Sequence, residues 1–266
     1  RAWRRALCTG RGCLNCGVVA LACGAVHVVV PKTDRRAHDD RRLAAVTGRN
    51  RDVCLAKPND PTGTCLPQSE VRRLHAALPP HGLLVLDAAY AEYVRRNDYE
   101  AGIELAGASE NVVMTRTFSK IHGLAALRVG WIYAPEHIVD ALNRIRGPFN
   151  VTASGQRAAL AALADTNFLA RSREANREER KRFVHAIEAL GNHWLRAVPS
   201  KANFVLVLFE GDLQAETALQ AIADAGYAVR HLPGQGLPQA LRITIGTARQ
   251  MDDITRVLRT LCGAGA

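Results

Sequence analysis

The chain of 266 residues has no apolar stretch approaching the roughly 18 residues that a bilayer-spanning helix requires, so no membrane partner is expected. Lysine is scarce, supplying five of the thirty-five basic residues. The net charge of +10 invites a nucleic-acid reading, but its distribution opposes one. Residues 1–51 hold eleven Lys/Arg against three Asp/Glu, while residues 52–266 hold twenty-four against twenty-two. Aromatics are only 5% of the chain, and neither an aromatic-rich basic groove nor a helix-turn-helix pattern accompanies the charge. The N-terminus carries Arg1, Arg4 and Arg5 without a clean apolar core before Cys8 and Gly10, so no signal peptide is expected. Seven cysteines include one CxxC, Cys13 to Cys16, which could hold zinc with Cys8 or His27. A second well-spaced CxxC is missing, and reduced thiols of a cytoplasmic protein are the plainer account; no metal is expected.

With 48% hydrophobic and 23% charged residues, the composition is that of a globular protein large enough to bury a sizeable core. Val26–Val30 and Val53–Ala56 read as strands and Leu43–Val46 as a short helical piece. Val71, Leu74 and Leu78 give helical periodicity from Pro67 until Pro79-Pro80 stops it. Strands are expected at 83–87, 111–115 and 129–133, and a helix after Pro135 at its first position. A charged helix from about Asn167 to Leu190 would carry Arg171 to Arg182 on solvated faces. The tail alternates between strands 203–209 and 241–245 and helices 214–225 and 249–261, the last opened by a Thr247/Gln250 capping box. Strands alternating with helices predict an α/β fold, a mostly parallel sheet with helices on both faces. A smaller C-terminal α+β domain would follow, with the boundary near residue 155 (domains 1–155 and 156–266). No internal repeat or low-complexity linker interrupts this plan.

Four segments carry the chemistry. Lys57-Pro58-Asn59-Asp60-Pro61-Thr62-Gly63 follows a strand, as do Asp87-Ala88-Ala89-Tyr90 and Thr117-Phe118-Ser119-Lys120, the last with Arg128 eight residues on. Leu241-Arg242-Ile243-Thr244-Ile245-Gly246-Thr247 lies near the C-terminus. In parallel sheets ligands bind beyond the carboxyl ends of strands, where Asp60, Asp87 and Lys120 all fall. A lysine amine at a strand end, hydroxyls and a guanidinium fork for a phosphate, and an upstream carboxylate form the kit that pyridoxal phosphate (PLP) chemistry needs. Each residue also has a plain reading. Ser119-Lys120 would be a solvated loop, Asp87 a helix N-cap, Tyr90 a buried tyrosine and Arg128 half of a surface salt bridge.

Taken in this order, the segments resemble those of the class I/II aminotransferases of PLP fold type I, and most of all the histidinol-phosphate aminotransferases of histidine biosynthesis, from about Val18 to the C-terminus. The resemblance implies that Lys120 forms the Schiff base with PLP and then moves the substrate proton. It implies that Asp87 faces the pyridine nitrogen, that Tyr90 meets the cofactor's 3-oxygen, and that Thr117, Ser119 and Arg128 hold its phosphate. Arg242 and Arg230 would hold the anionic end of the substrate, and two converging arginines favour a phosphate. Small-molecule substrates and a homodimer are implied as partners. An aromatic or other amino-acid aminotransferase, a decarboxylase of the same fold, or a non-catalytic remnant remain alternatives. Two positions depart from the pattern. Asp60 stands where an asparagine amide usually donates to the cofactor, and Lys57 replaces an asparagine at the loop start. The Arg/Cys/Gly-rich residues 1–17 read as the truncated or frame-shifted start of a longer gene. The resemblance places a phosphate loop and a ring-stacking aromatic upstream, so weak PLP binding and slow turnover are expected.

Overall fold

A computed structural model describes residues 5–9, 18, 20–30, 46–47 and 50–263. The short helix expected at Leu43–Val46 lies outside them except at its last residue, and so do Cys13 and Cys16 of the CxxC. The chain folds into two compact units, residues 1–59 with 65–170 and residues 60–64 with 171–266.

The first unit is built on a six-stranded sheet. Its strands are β1 (Arg5–Thr9), β2 (Val26–Val30), β3 (Asn50–Ala56), β4 (Leu83–Asp87), β5 (Val112–Thr117) and β6 (Gly130–Tyr133), in the order β2-β1-β3-β4-β5-β6. The first five are mutually parallel, and β6 closes the edge antiparallel to β5. The mostly parallel sheet expected from the sequence is therefore present. The N-terminal arginine-rich segment, for which the sequence suggests no element, supplies β1 between β2 and β3. Ala6 and Leu7 are buried there, an apolar pair too short to stand out beside Arg4 and Arg5.

Burial along β4 alternates, with Leu84 and Leu86 inside and Leu83 and Val85 half-buried. Against that inner face pack Val71 and Leu74 of α1 (Gln68–Ala76), Leu105 and Ala106 of α2 (Ile103–Gly107), and Val112 and Met114 of β5. Each fully buried side chain of this size contributes about 1.5–3 kcal/mol. The helix expected to begin at Pro135 instead uses it as N-cap. The Pro135 carbonyl accepts from the amides of Ile138 and Val139, and α3 runs Glu136–Ile145, followed by α4 (Ala153–Ala164).

Helix α5 (Thr166–Glu188) contains the division between the units. The second unit holds a four-stranded antiparallel sheet in the order β7-β8-β10-β9: β7 (Leu195–Val198), β8 (Phe204–Phe209), β10 (Leu237–Thr244) and β9 (Arg230–Leu232). Val205 and Val207 of β8 and Leu241 and Ile243 of β10 meet Phe183 and Ile187 of α5, Ile222 of α6 (Ala215–Asp224), and Met251 and Leu258 of α7 (Ala248–Leu261). The capping box is formed at α7, with Thr247 accepting from the Gln250 amide and Gln250 returning to the Thr247 amide. The arginines of α5 are not all solvated as expected. Arg180 is half-buried and donates to the Ala202 carbonyl at 2.6 Å, and burial lowers its pKa. Among the described residues, no helix is long and apolar enough to cross a membrane, and no group of three metal-ligating side chains gathers.

Candidate active site

Strands β3, β4 and β5 end side by side, with Ala56 paired to Asp87 and Asp87 to Thr115. The residues that follow these ends therefore collect on one edge of the sheet, the edge at which parallel sheets bind ligands. Asp87 is the last residue of β4. Its Oδ1 accepts from the Ala89 amide at 3.1 Å and lies 3.4 Å from Thr115 Oγ1, and these two donors fix the orientation of the carboxylate. That amide contact is a local aspartate turn and not the helix N-cap of the plain reading: residues 88–90 are not helical, and the short 3₁₀ turn that follows, Ala91–Tyr93, has Tyr90 as its N-cap. Thr115 is a neighbour that sequence reasoning missed, since only strand register brings it opposite Asp87.

Tyr90 is buried, and the Lys120 Nζ lies 4.9 Å from the centre of its ring. That cation–π contact holds the amine without consuming it. Lys120 has no carboxylate partner among the described residues. Thr117 ends β5, and its Oγ1 accepts from the Ser119 amide at 3.0 Å. Arg128 Nη1 donates to Ser119 Oγ at 3.3 Å and to the Ala125 carbonyl at 2.7 Å. No carboxylate pairs with Arg128 among the described residues, so the surface salt bridge is replaced by an arginine–hydroxyl cluster. Arg128 holds a left-handed conformation at φ +52°, which costs a non-glycine residue about 1–2 kcal/mol. Backbone strain of this kind concentrates at functional sites. Asp87, Tyr90, Thr117, Ser119, Lys120 and Arg128 thus all lie within the first compact unit.

Asp60, Arg230 and Arg242 belong to the second unit. Arg242 on β10 is the direct register partner of Arg230 on β9, so the two guanidinium stems rise from the same face of an antiparallel pair. Asp60 Oδ2 accepts from Arg242 Nη1 at 2.6 Å. The Arg242 guanidinium lies 4.8 Å from the centre of the Phe204 ring, and its Nε is buried without a hydrogen-bond acceptor among the described residues. Lys57, the other departure, is 2% exposed and donates from Nζ to the Glu100 carbonyl at 2.8 Å. Burial pulls its ammonium pKa down, against the weaker upward pull of Cys65, Glu100 and Asp98.

The chain carries a mostly parallel sheet with a lysine, a carboxylate and an arginine–hydroxyl cluster past its strand ends, and comparison with known proteins shows the family to which such a sheet belongs. The chain belongs to the aminotransferase class I and II family, which matches residues 19–261. More particularly, it is 59% identical over 241 residues to a histidinol-phosphate aminotransferase of Erythrobacter litoralis, covering 91% of this chain and 66% of that protein. A histidinol-phosphate aminotransferase of Sphingopyxis alaskensis is 54% identical over 243 residues, 91% of this chain and 64% of its own length. The chain thus spans just under two thirds of these relatives. Among solved structures, histidinol-phosphate aminotransferase from Sinorhizobium meliloti in complex with pyridoxal-5'-phosphate is similar with a TM-score of 0.85 and 30% identity, over 99% of this chain and 72% of that one.

The donor set fits pyridoxal phosphate. An amine with no ion-pair partner suits its aldehyde, a fixed carboxylate suits its pyridine nitrogen, a phenol suits its ring oxygen, and a guanidinium with hydroxyls suits its phosphate.

Proposed function

We propose that this chain acts in the PLP-dependent transamination of L-histidinol phosphate with 2-oxoglutarate, giving imidazole acetol phosphate and L-glutamate, in the cytoplasm and as a homodimer. The observation that carries the substrate assignment is the Arg230–Arg242 register pair: two forked cations on one sheet face suit a phosphate ester better than a single carboxylate. The 59% identity to a histidinol-phosphate aminotransferase supports the same choice. Ile145 and Phe149, 80% and 97% exposed, support an apolar surface that a second chain would cover.

When bound, PLP supplies an electron sink for the carbon that bears the exchanging nitrogen. Lys120 would hold the cofactor and, once freed as an amine, would take the proton from that substrate carbon and deliver it to the cofactor carbon bonded to the same nitrogen, acting as general base and then general acid. Asp87, fixed by Ala89 and Thr115, would face the pyridine nitrogen and keep its proton in place. Tyr90 would donate to the ring oxygen, while Arg128, Ser119 and Thr117 would anchor the phosphate. Arg242 and Arg230 orient the substrate through its anionic end.

Steady-state kinetics of Arg242→Ala test this reading. Loss of a charge-assisted bond costs about 1.5–3 kcal/mol, so kcat/KM for histidinol phosphate should fall roughly ten- to more than hundred-fold with PLP binding unchanged. An equal loss of PLP affinity in this variant would contradict the substrate role.

A further inference from the structure

Glu92 and Arg116 form a mostly buried ion pair, with side chains 10% and 18% exposed. Arg116 Nη2 and Nε donate to one carboxylate oxygen, Glu92 Oε1, at 2.6 and 3.2 Å. Trp131, the register partner of Arg116 on β6, has its ring centre 5.7 Å from the guanidinium carbon. A pair withdrawn from water in this way is stronger than an exposed one.

Its place in the chain links it to the active site. Glu92 comes two residues after Tyr90, in the 3₁₀ turn Ala91–Tyr93. Arg116 lies on β5 between Thr115, which meets Asp87, and Thr117, three residues before Lys120. Successive side chains of a strand point to opposite faces, so Arg116 leaves β5 on the face away from Thr115 and Thr117. Segment 87–93 therefore grips β5 from both sides. On one side Thr115 Oγ1 meets Asp87 Oδ1, while the Ala88 amide donates to the Thr115 carbonyl at 3.0 Å. On the other, Glu92 meets Arg116. The backbone bonds of the turn itself, from Ala91 to Ala88, Tyr93 to Tyr90 and Val94 to Ala91, close within the segment, so the Glu92 side chain supplies its tie to the strand. Tyr90 stands between the two anchors, and β5 leads directly into the turn that presents Lys120.

We infer that Glu92 and Arg116 are positioning residues that act through Tyr90: their ion pair fixes the Tyr90 ring against the Lys120 amine and so sets how freely that amine reacts, before any cofactor arrives. The inference rests on the reading of Lys120 as the reactive amine. A ring face attracts and covers a cation, and the Lys120 Nζ lies 4.9 Å from the centre of this one. Once the turn is released from β5, the ring moves and the amine is uncovered.

The test is competitive acylation of the cofactor-free chain with acetic anhydride, reading the rate at Lys120 against that at the exposed Lys181 by mass spectrometry. Glu92→Ala should raise the Lys120 rate relative to Lys181 about two- to five-fold, as Tyr90→Leu should. The double variant should be no faster than Tyr90→Leu alone, because the pair acts through the ring. Glu92→Gln, which keeps an oxygen for Arg116, should return most of the wild-type rate. Arg116→Lys keeps the charge without the fork and should give a smaller rise in the same direction, and it decides the matter if Glu92→Ala does not fold. A wild-type Lys120 rate in these variants, or a double variant whose effect is the product of the two single ones, overturns the inference alone. Failure of pyridoxal phosphate to label Lys120 in the wild type overturns the reading beneath it.

Discussion

Lys57 and Tyr99 clasp each other: the Lys57 Nζ lies 4.8 Å from the centre of the Tyr99 ring, and the Tyr99 hydroxyl donates to the Lys57 carbonyl at 2.9 Å. With the further bond from Nζ to the Glu100 carbonyl, this ties the residue ahead of Asn59 and Asp60 to the segment that leads into α2.

Burial lowers the Lys57 pKa from its ordinary 10.5, so the unfolded chain binds more protons than the folded one between the two values. The cost of burying the ammonium is fully present below the folded pKa and is relieved as pH climbs toward 10.5. The thermal midpoint of Lys57→Met minus that of the wild type should therefore fall as pH rises toward 10.5. A difference that does not vary with pH, measured by circular dichroism melts, would mean that Lys57 titrates alike in both states.

Gly63→Ala should destabilise by about 2 kcal/mol or more, combining left-handed strain with the clash against Ser200. Urea unfolding checks this. A loss below about 0.5 kcal/mol would show that the 60–64 segment does not sit tightly against residue 200.

Removing the Thr247 hydroxyl takes away an acceptor for the Gln250 amide at the start of α7, whose Met251, Ile254 and Leu258 fill the second unit's core. Thr247→Ala should cost about 1 kcal/mol in the same unfolding experiment. Thr247→Ser should recover most of it, and failure of serine to do so would argue against a capping role.

Much of this architecture is legible in the chain. The apolar run 83–86 stands out because the parallel strand it forms buries Leu84 and Leu86 and half-buries the residues between them, and Thr247 with Gln250 announces the start of α7 through purely local hydrogen bonding. Strand β1 is not legible, because its apolar content is a few residues within an arginine-rich stretch. Lys120, Ser119 and Arg128 are close in sequence and can be grouped by spacing. Thr115 beside Asp87, Arg230 opposite Arg242, and Asp60 on Arg242 depend on register or on contacts across 182 positions, which no local pattern encodes. Lys57 stands out in the sequence only as a substitution. Lysine is ordinarily solvated, and its burial follows from Tyr99 and the Glu100 carbonyl, neither of which spacing predicts.

The account centres on Lys120 as the residue that carries the cofactor. Incubating the chain with pyridoxal phosphate, reducing it with borohydride and mapping the peptides reads this out without any assay of turnover. The pyridoxyl label should fall on Lys120 alone among the five lysines and vanish in Lys120→Ala. Label spread over Lys32, Lys57, Lys181 and Lys201, or undiminished in Lys120→Ala, would contradict it.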